Sequence, residues 1–268
     1  MSASGGVTIR RLAEMKAARQ PISMLTAYDA TFARAVDDAG VECVLVGDSL
    51  GNVIQGRDST VPVTLEQMVY HVECVRRGAA RALVLADLPF LSYADPDMAV
   101  VSARAVMQAG AAMVKLEGGA PVIDCVRRLS ALGVPVCGHL GLTPQSVHAL
   151  SGYRVQGRDE AARARLIDDA AALAGAGCTL LVLECVPAGL GAEIAAALEI
   201  PVIGIGAGPD VDGQVLVLHD ALGLGGAVAP RFVRDFVSGA GSIRHGLRAF
   251  VEAVRAREFP TADESYGG

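Results

Sequence analysis

The sequence predicts an α/β protein built as one (β/α)8 TIM barrel, on three observations. Short β-branched runs alternate with longer Ala-rich segments of helical period, the pattern of parallel strands joined by crossover helices. The 268 residues match the roughly 250 that such a barrel uses as a single domain. The composition is 52% hydrophobic but only 4% aromatic, with no Trp, so it supplies the Ala, Val, Leu and Ile that barrel strands and their covering helices require.

Taken in order, the candidate strands are ISMLTA (22–27), CVLVGD (43–48), ALVLAD (82–87), MVKLEG (113–118), PVCGHL (135–140), LLVLEC (180–185), VIGIGA (202–207) and VLVLHD (215–220). The last fits a helix as well as a strand. Between them, ATFARAVDDAG (30–40), TLEQMVYHVECVRRG (64–78), DPDMAVVSARAVMQAG (95–110) and DEAARARLIDDAAALAGAG (159–177) carry apolar residues every three or four positions and close on Gly. Thr64 with Gln67, and Asp95 before Pro96, read as N-terminal caps. Strand followed by helix is expected to repeat to the end. Two connections, 49–63 and 141–159, are long and fall on the C-terminal face, where long loops are functional. One domain is expected over 1–268, with short mobile tails at about 1–6 and 261–268.

The net charge of −6 is spread in mixed signs without a basic or acidic run, so neither nucleic acid nor an anionic membrane is an expected partner. No apolar stretch reaches the roughly 20 residues of a bilayer span. The start, MSASGGVTIRRL, lacks a signal-peptide core, and the expected location is the cytoplasm. The cysteines at 43, 74, 125, 137, 178 and 185 never form C-x-x-C, which speaks for buried thiols rather than zinc or disulfides.

The informative feature is where the hydrophobic runs stop. Asp48, Asp87, Glu117, His139 and Glu184 close five successive candidate strands, which places them together at the C-terminal mouth. Asp48, Asp87 and Glu117 form a natural cluster of hard oxygen ligands, with room for water and substrate, and so suit Mg²⁺ better than Ca²⁺ or Zn²⁺. A metal there could hold a carbonyl oxygen and stabilise an enolate. Without it the carboxylates would repel and raise one another's pKa.

Lys115 lies two residues before Glu117, so both point into the barrel. Its buried ammonium is answered either by one of the acids or by a substrate carboxylate. Ser49 is either a turn residue or a second donor to that carboxylate. His139 is either a satisfied core histidine or a substrate contact. His71, His148, His219 and His245 carry no chemical expectation. Glu184 stands among apolar residues, where desolvation would raise its pKa and favour a general base; the competing reading is a salt-bridged structural Glu. IGIGAGPDVDGQ contains G-x-G-x-G but lacks the full dinucleotide fingerprint, so close backbone approach is the better reading.

Read together, MLTAYDA (24–30), VGDSLGNV (46–53), TLEQMVYH (64–71), ADLPF (86–90), VKLEGG (114–119), GHLGLTPQ (138–145), GYRVQGR (152–158), LECVP (183–187), IGIGAG (203–208) and DGQVLVLHDALG (212–223) resemble the ketopantoate (3-methyl-2-oxobutanoate) hydroxymethyltransferase family. The match covers nearly the whole chain, in the family's order. It implies a barrel of the phosphoenolpyruvate mutase/isocitrate lyase type, a homodecamer, a place in pantothenate biosynthesis, Mg²⁺, and 5,10-methylenetetrahydrofolate as co-substrate. By motif, Asp48 and Asp87 would bind the metal with Glu117 in its surroundings. Ser49, Asp87 and Lys115 would contact the 2-oxo acid, His139 would be a polar site residue, and Glu184 the proton acceptor.

Asn52 stands where the family commonly has Met, and Ser151 where it has Gly. The competing reading is a Mg²⁺-dependent C–C lyase of another 2-oxo or 2-hydroxy acid in the same superfamily. The Cys137-Gly138-His139 triplet is similar to those lyases' C-G-H, but lies inside the fifth strand without their preceding basic pair.

Overall fold

The computed structural model describes residues 5–226 and 229–267. Eight parallel strands close into a barrel in sequence order: β1 (Ile22–Thr26), β2 (Cys43–Val46), β3 (Leu83–Asp87), β4 (Met113–Glu117), β5 (Val136–Gly141), β6 (Cys178–Glu184), β7 (Val202–Ile205) and β8 (Gly213–Leu216). The fold expectation holds, and the four helices read from periodicity are all present. They are α2 (Ala30–Ala39), α4 (Leu65–Gly78), α5 (Pro96–Gln108) and α7 (Glu160–Ala176), with α1 (Ile9–Ala17) and the short α3 (Leu50–Val53) preceding α4. Both caps form as expected. Thr64 and Gln67 make a reciprocal capping box, and Asp95 accepts from the N–H groups of Asp97 and Met98. The outer ring continues with α6 (Ile123–Ala131) and α8 (Ala188–Ala197). After β8 come the single turn α9 (Leu218–Ala221) and α10 (Ile243–Arg255), which packs on α2 and β1.

Two expectations need correction. The apolar run 215–220 is not one strand. β8 starts earlier, at Gly213, pairs with β1 and β7, and stops at Leu216. Leu218 then opens α9, its N–H donating to Thr26 Oγ1 at 2.9 Å. The strand–helix alternation also fails after β7, where residues 206–212 return to β8 without a helix. Gly206 and Gly208 there have φ of 65° and 83°, a left-handed course open to glycine.

The expected tails behave differently from one another. Residues 1–4 of the 1–6 segment lie outside the described residues, and Val7 already donates to the Arg81 carbonyl at 2.7 Å. Residues 261–267 dock on the barrel instead of trailing from it. Glu264 is held by Arg234 at 2.6 Å, and Ser265 is buried. Local polar composition suggested solvation, but these polar groups are satisfied by partners within the protein. Among the described residues no helix is long and apolar enough to cross a membrane.

Candidate active site

Strand alternation builds the site. Lys115 and Glu117 stand two apart on β4, and the sheet register sets Asp87 beside Lys115, Glu117 beside His139, and Gly141 beside Glu184. The side chains therefore follow one another around the C-terminal rim. Gly141 (φ 89°) allows β5 and β6 to close up there, since a Cβ would run into the Glu184 carbonyl. Asp48 and Ser49 come from the turn just beyond β2 rather than from its last residue.

All seven predicted residues meet at one rim. The Asp48 backbone N–H donates to Asp87 Oδ2 at 3.0 Å. Lys115 Nζ lies 2.9 Å from Asp87 Oδ1 and 3.7 Å from Glu117 Oε1. His139 places Nδ1 3.3 Å from Glu117 Oε1 and Nε2 3.3 Å from Glu184 Oε2. The result is a line of polar contacts from Asp48 to Glu184 across five neighbouring strands. Ser49 Oγ is 2.9 Å from the Tyr28 hydroxyl.

Electrostatics fix the charge states. Burial disfavours the Lys115 ammonium, but Asp87, Glu117 and Asp48 outweigh it and hold its pKa above that of an ordinary lysine. Burial, then Asp87 and Glu117, push Asp48 well above the carboxylate range against the opposing pull of Lys115 and Gln145. Glu117 goes the other way: its burial is overcome by His139, Lys115 and the Gln145 N–H. His139 Nδ1 also lies 3.1 Å from Lys115 Nζ, and it cannot accept from Lys115 while donating to Glu117. Burial and Lys115 disfavour the imidazolium, but Glu117 and Glu184 prevail and push its pKa up to about 9. The balance favours the imidazolium, with a carboxylate oxygen 3.3 Å from each ring nitrogen.

Glu184 departs from its expected apolar enclosure. Its side chain is 15% exposed and opens on the cavity with His139 as partner, while strand alternation turns the neighbouring Leu183 into the helix layer. The cavity has a volume of about 600 Å³, and its depth is formed by Asp48, Ser49, Asp87, Lys115, Glu117, His139 and Glu184. Its lining also includes the apolar and aromatic side chains of Val155, Val217, Phe232, Tyr153 and Tyr266. Of the five histidines, only His139 lines it.

Sequence reasoning missed Gln145. It is buried, with Nε2 donating to Asp48 Oδ2 at 2.8 Å and its backbone N–H donating to Glu117 Oε2 at 3.0 Å. Tyr93 orients it, its hydroxyl donating to Gln145 Oε1 at 2.6 Å. The only signal was its position closing the GHLGLTPQ block. Tyr28, Tyr153 and Arg154 likewise sit in quoted blocks, but nothing in their spacing marks them as site residues.

Among the described residues no three His, Cys, Asp or Glu side chains form a ready-made metal cage. The two Glu117 oxygens face Lys115, His139 and the Gln145 N–H. Four carboxylates nevertheless face two cations, Lys115 and His139, and the crowding falls on Asp48. That donor set fits a small hard dication taking its two protein ligands from Asp48 and Asp87, with water and substrate supplying the rest, as suits Mg²⁺.

The sequence profile described as Ketopantoate hydroxymethyltransferase matches residues 6–262. The chain belongs to this family. It is 57% identical over 263 residues to the 3-methyl-2-oxobutanoate hydroxymethyltransferase of Alkalilimnicola ehrlichii, covering 98% of this chain and 95% of that one. As a member of this family the chain is an enzyme, a hydroxymethyl transferase. Its fold is shared with 2,3-dimethylmalate lyase, a phosphoenolpyruvate mutase/isocitrate lyase superfamily member, at a TM-score of 0.56 and 17% identity over 80% of this chain and 82% of that one. Phosphonopyruvate hydrolase in complex with oxalate and Mg²⁺ matches at a TM-score of 0.62 and 10% identity over 80% and 83% of the two chains.

Proposed function

We propose that the enzyme moves a hydroxymethyl group from 5,10-methylenetetrahydrofolate to 3-methyl-2-oxobutanoate, forming 2-dehydropantoate for pantothenate biosynthesis, with Mg²⁺ as cofactor. One observation carries the mechanism: Glu184 opens on the same cavity as Asp48, Asp87 and Lys115, while His139 steadies it from the side. The superfamily neighbour crystallised with oxalate and Mg²⁺ supports the cofactor by analogy.

Lys115 and Ser49 would bind the substrate carboxylate, with Lys115 remaining an ammonium because acids surround it. Asp48 and Asp87 would hold Mg²⁺, which supplies the polarisation of the 2-oxo carbonyl that makes the C3 hydrogen acidic. Glu184 accepts that proton through the oxygen facing the cavity. The His139 ring, 3.3 Å away, orients the carboxylate before transfer. C3 then attacks the one-carbon unit, one water is consumed, and tetrahydrofolate leaves. In reverse the same carboxyl returns its proton to C3. The family resemblance extends the proposal to a homodecamer in the cytoplasm, and sedimentation of the purified protein tests the assembly.

Exchange of the C3 hydrogen with D2O, followed with Mg²⁺ and 3-methyl-2-oxobutanoate but no folate, isolates the proton step. Wild-type enzyme should exchange, and Glu184→Gln should slow exchange by about 10²- to 10⁴-fold, the usual worth of a positioned base. Undiminished exchange in Glu184→Gln removes Glu184 as the base; no exchange in wild type removes the mechanism.

A further inference from the structure

None of these chemical steps uses residues 257–267, yet this segment reaches the cavity. Its approach is firmly anchored. Phe259 packs edge-on against Phe236 and Phe250, with centroids 5.4 and 6.0 Å away. Arg234 grips both oxygens of Glu264 at 2.7 and 2.6 Å, and one of those oxygens also accepts the Thr261 N–H at 2.7 Å. Buried Ser265 closes the turn by donating to the Thr261 carbonyl at 2.7 Å.

The next residue, Tyr266, holds the far end of the turn that follows Glu184 and lines the cavity together with Cys185 at its near end. Its carbonyl accepts the Ala188 N–H at 2.9 Å. Ala188 opens α8, and Pro187 before it offers no side-chain cap, so this N–H is one of the orphan donors of a helix start. Cys185 directly follows Glu184 and holds φ at 49°, a left-handed conformation that is strained for a non-glycine residue and kept only where neighbours enforce it. The ring itself lies over Gly206, where a Cβ would stand 3.1 Å from Tyr266 Cε2 and 2.7 Å from Phe232 Cδ1.

We propose that Tyr266 is a positioning residue for the reaction. Anchored by the 257–265 segment, it walls the cavity and fixes the 185–188 turn, and through that turn the carboxylate of Glu184. The proposal rests on Glu184 being the base. It assigns Tyr266 no proton transfer: the ring and the backbone carbonyl do the holding.

The test uses full-length enzyme with Mg²⁺ and 3-methyl-2-oxobutanoate, reading kcat and KM for C3 exchange in D2O. Because misplacing a catalytic group by about 1 Å can cost 10²-fold, Tyr266→Ala should lower kcat by about 10- to 100-fold. KM should stay within about threefold, since the carboxylate contacts lie elsewhere. Tyr266→Phe keeps the ring and carbonyl and should retain at least about half of kcat. If Tyr266→Ala fails to fold, Glu264→Gln loosens the anchor from outside the cavity and should give the same kcat-selective loss at smaller size.

Wild-type kcat in Tyr266→Ala, a pure KM effect, or an equal loss in Tyr266→Phe overturns the proposal. So does a Glu264→Gln variant with lowered Tm and wild-type kcat. Glu184→Gln run alongside separates the two assignments. If it exchanges at the wild-type rate, both fall; if it is inactive beside a wild-type-like Tyr266→Ala, only the positioning role falls.

Discussion

Two successive layers of the barrel interior differ in almost every physical respect. Leu85, Met113 and Cys137 lie one inward position below Asp87, Lys115 and His139, about 7 Å along their strands. The lower layer is apolar and fully buried. Each side chain there gains from leaving water, at about 25 cal/mol per Å². The upper layer buries charges whose desolvation must be offset by counter-charges, and there four carboxylates share two cations. The same strands thus carry an apolar core in one layer and the charged floor of the cavity in the next, separated by a single inward step.

Lys115→Met should blur this contrast most. It takes an ammonium from between Asp87 and Glu117 and should lower the stability of metal-free protein by about 3–5 kcal/mol in urea unfolding, while weakening 2-oxo acid binding. An unchanged urea midpoint would mean that the acids neutralise themselves. In the lower layer, Met113→Ala should cost about 2–5 kcal/mol through the lost apolar contacts and the cavity left behind. If the layers are separable, kcat/KM at a temperature where the variant stays folded should change by less than about threefold.

Acidity gives a gentler probe. In metal-free protein the His139 pKa rises from 6.5 to about 9 on folding. Its stabilising contribution is therefore whole below about pH 6.5 and is lost as pH climbs through about 9. Urea midpoints with chelator present should reveal that fall in wild type. His139→Gln should remove it, whereas Met113→Ala should retain it on a lower baseline. The smallest effect lies in the 141–159 loop, where Ser151 holds φ at 56°, a left-handed conformation that favours glycine. Ser151→Gly should stabilise by about 0.5–1 kcal/mol, read as a small rise in Tm.

What the sequence revealed follows the same division. Strand-end residues were legible because a buried run that stops on an acid or His is visible in one dimension, and register brings such neighbours together. β8 was misplaced because Gly213 and Gln214 carry no strand signal, while the apolar run through Val217 spans two elements. Gln145 and Tyr93 reach the cluster from loops, where no period connects a residue to its partner. Tyr266 was hidden in a stretch whose polar composition resembles a solvated tail, although Arg234, distant in sequence, answers Glu264. Local pattern reports which face a residue takes; it does not report which distant group satisfies it.

Gln145 joins the 141–159 loop to Glu117 through its own main chain and to Asp48 through its side chain. Its amide hydrogen is shielded by burial and by the Glu117 carboxylate that receives it. The protein therefore contains a native reporter: the rate at which that one amide exchanges with solvent records whether the loop is seated on the acids, with no label added.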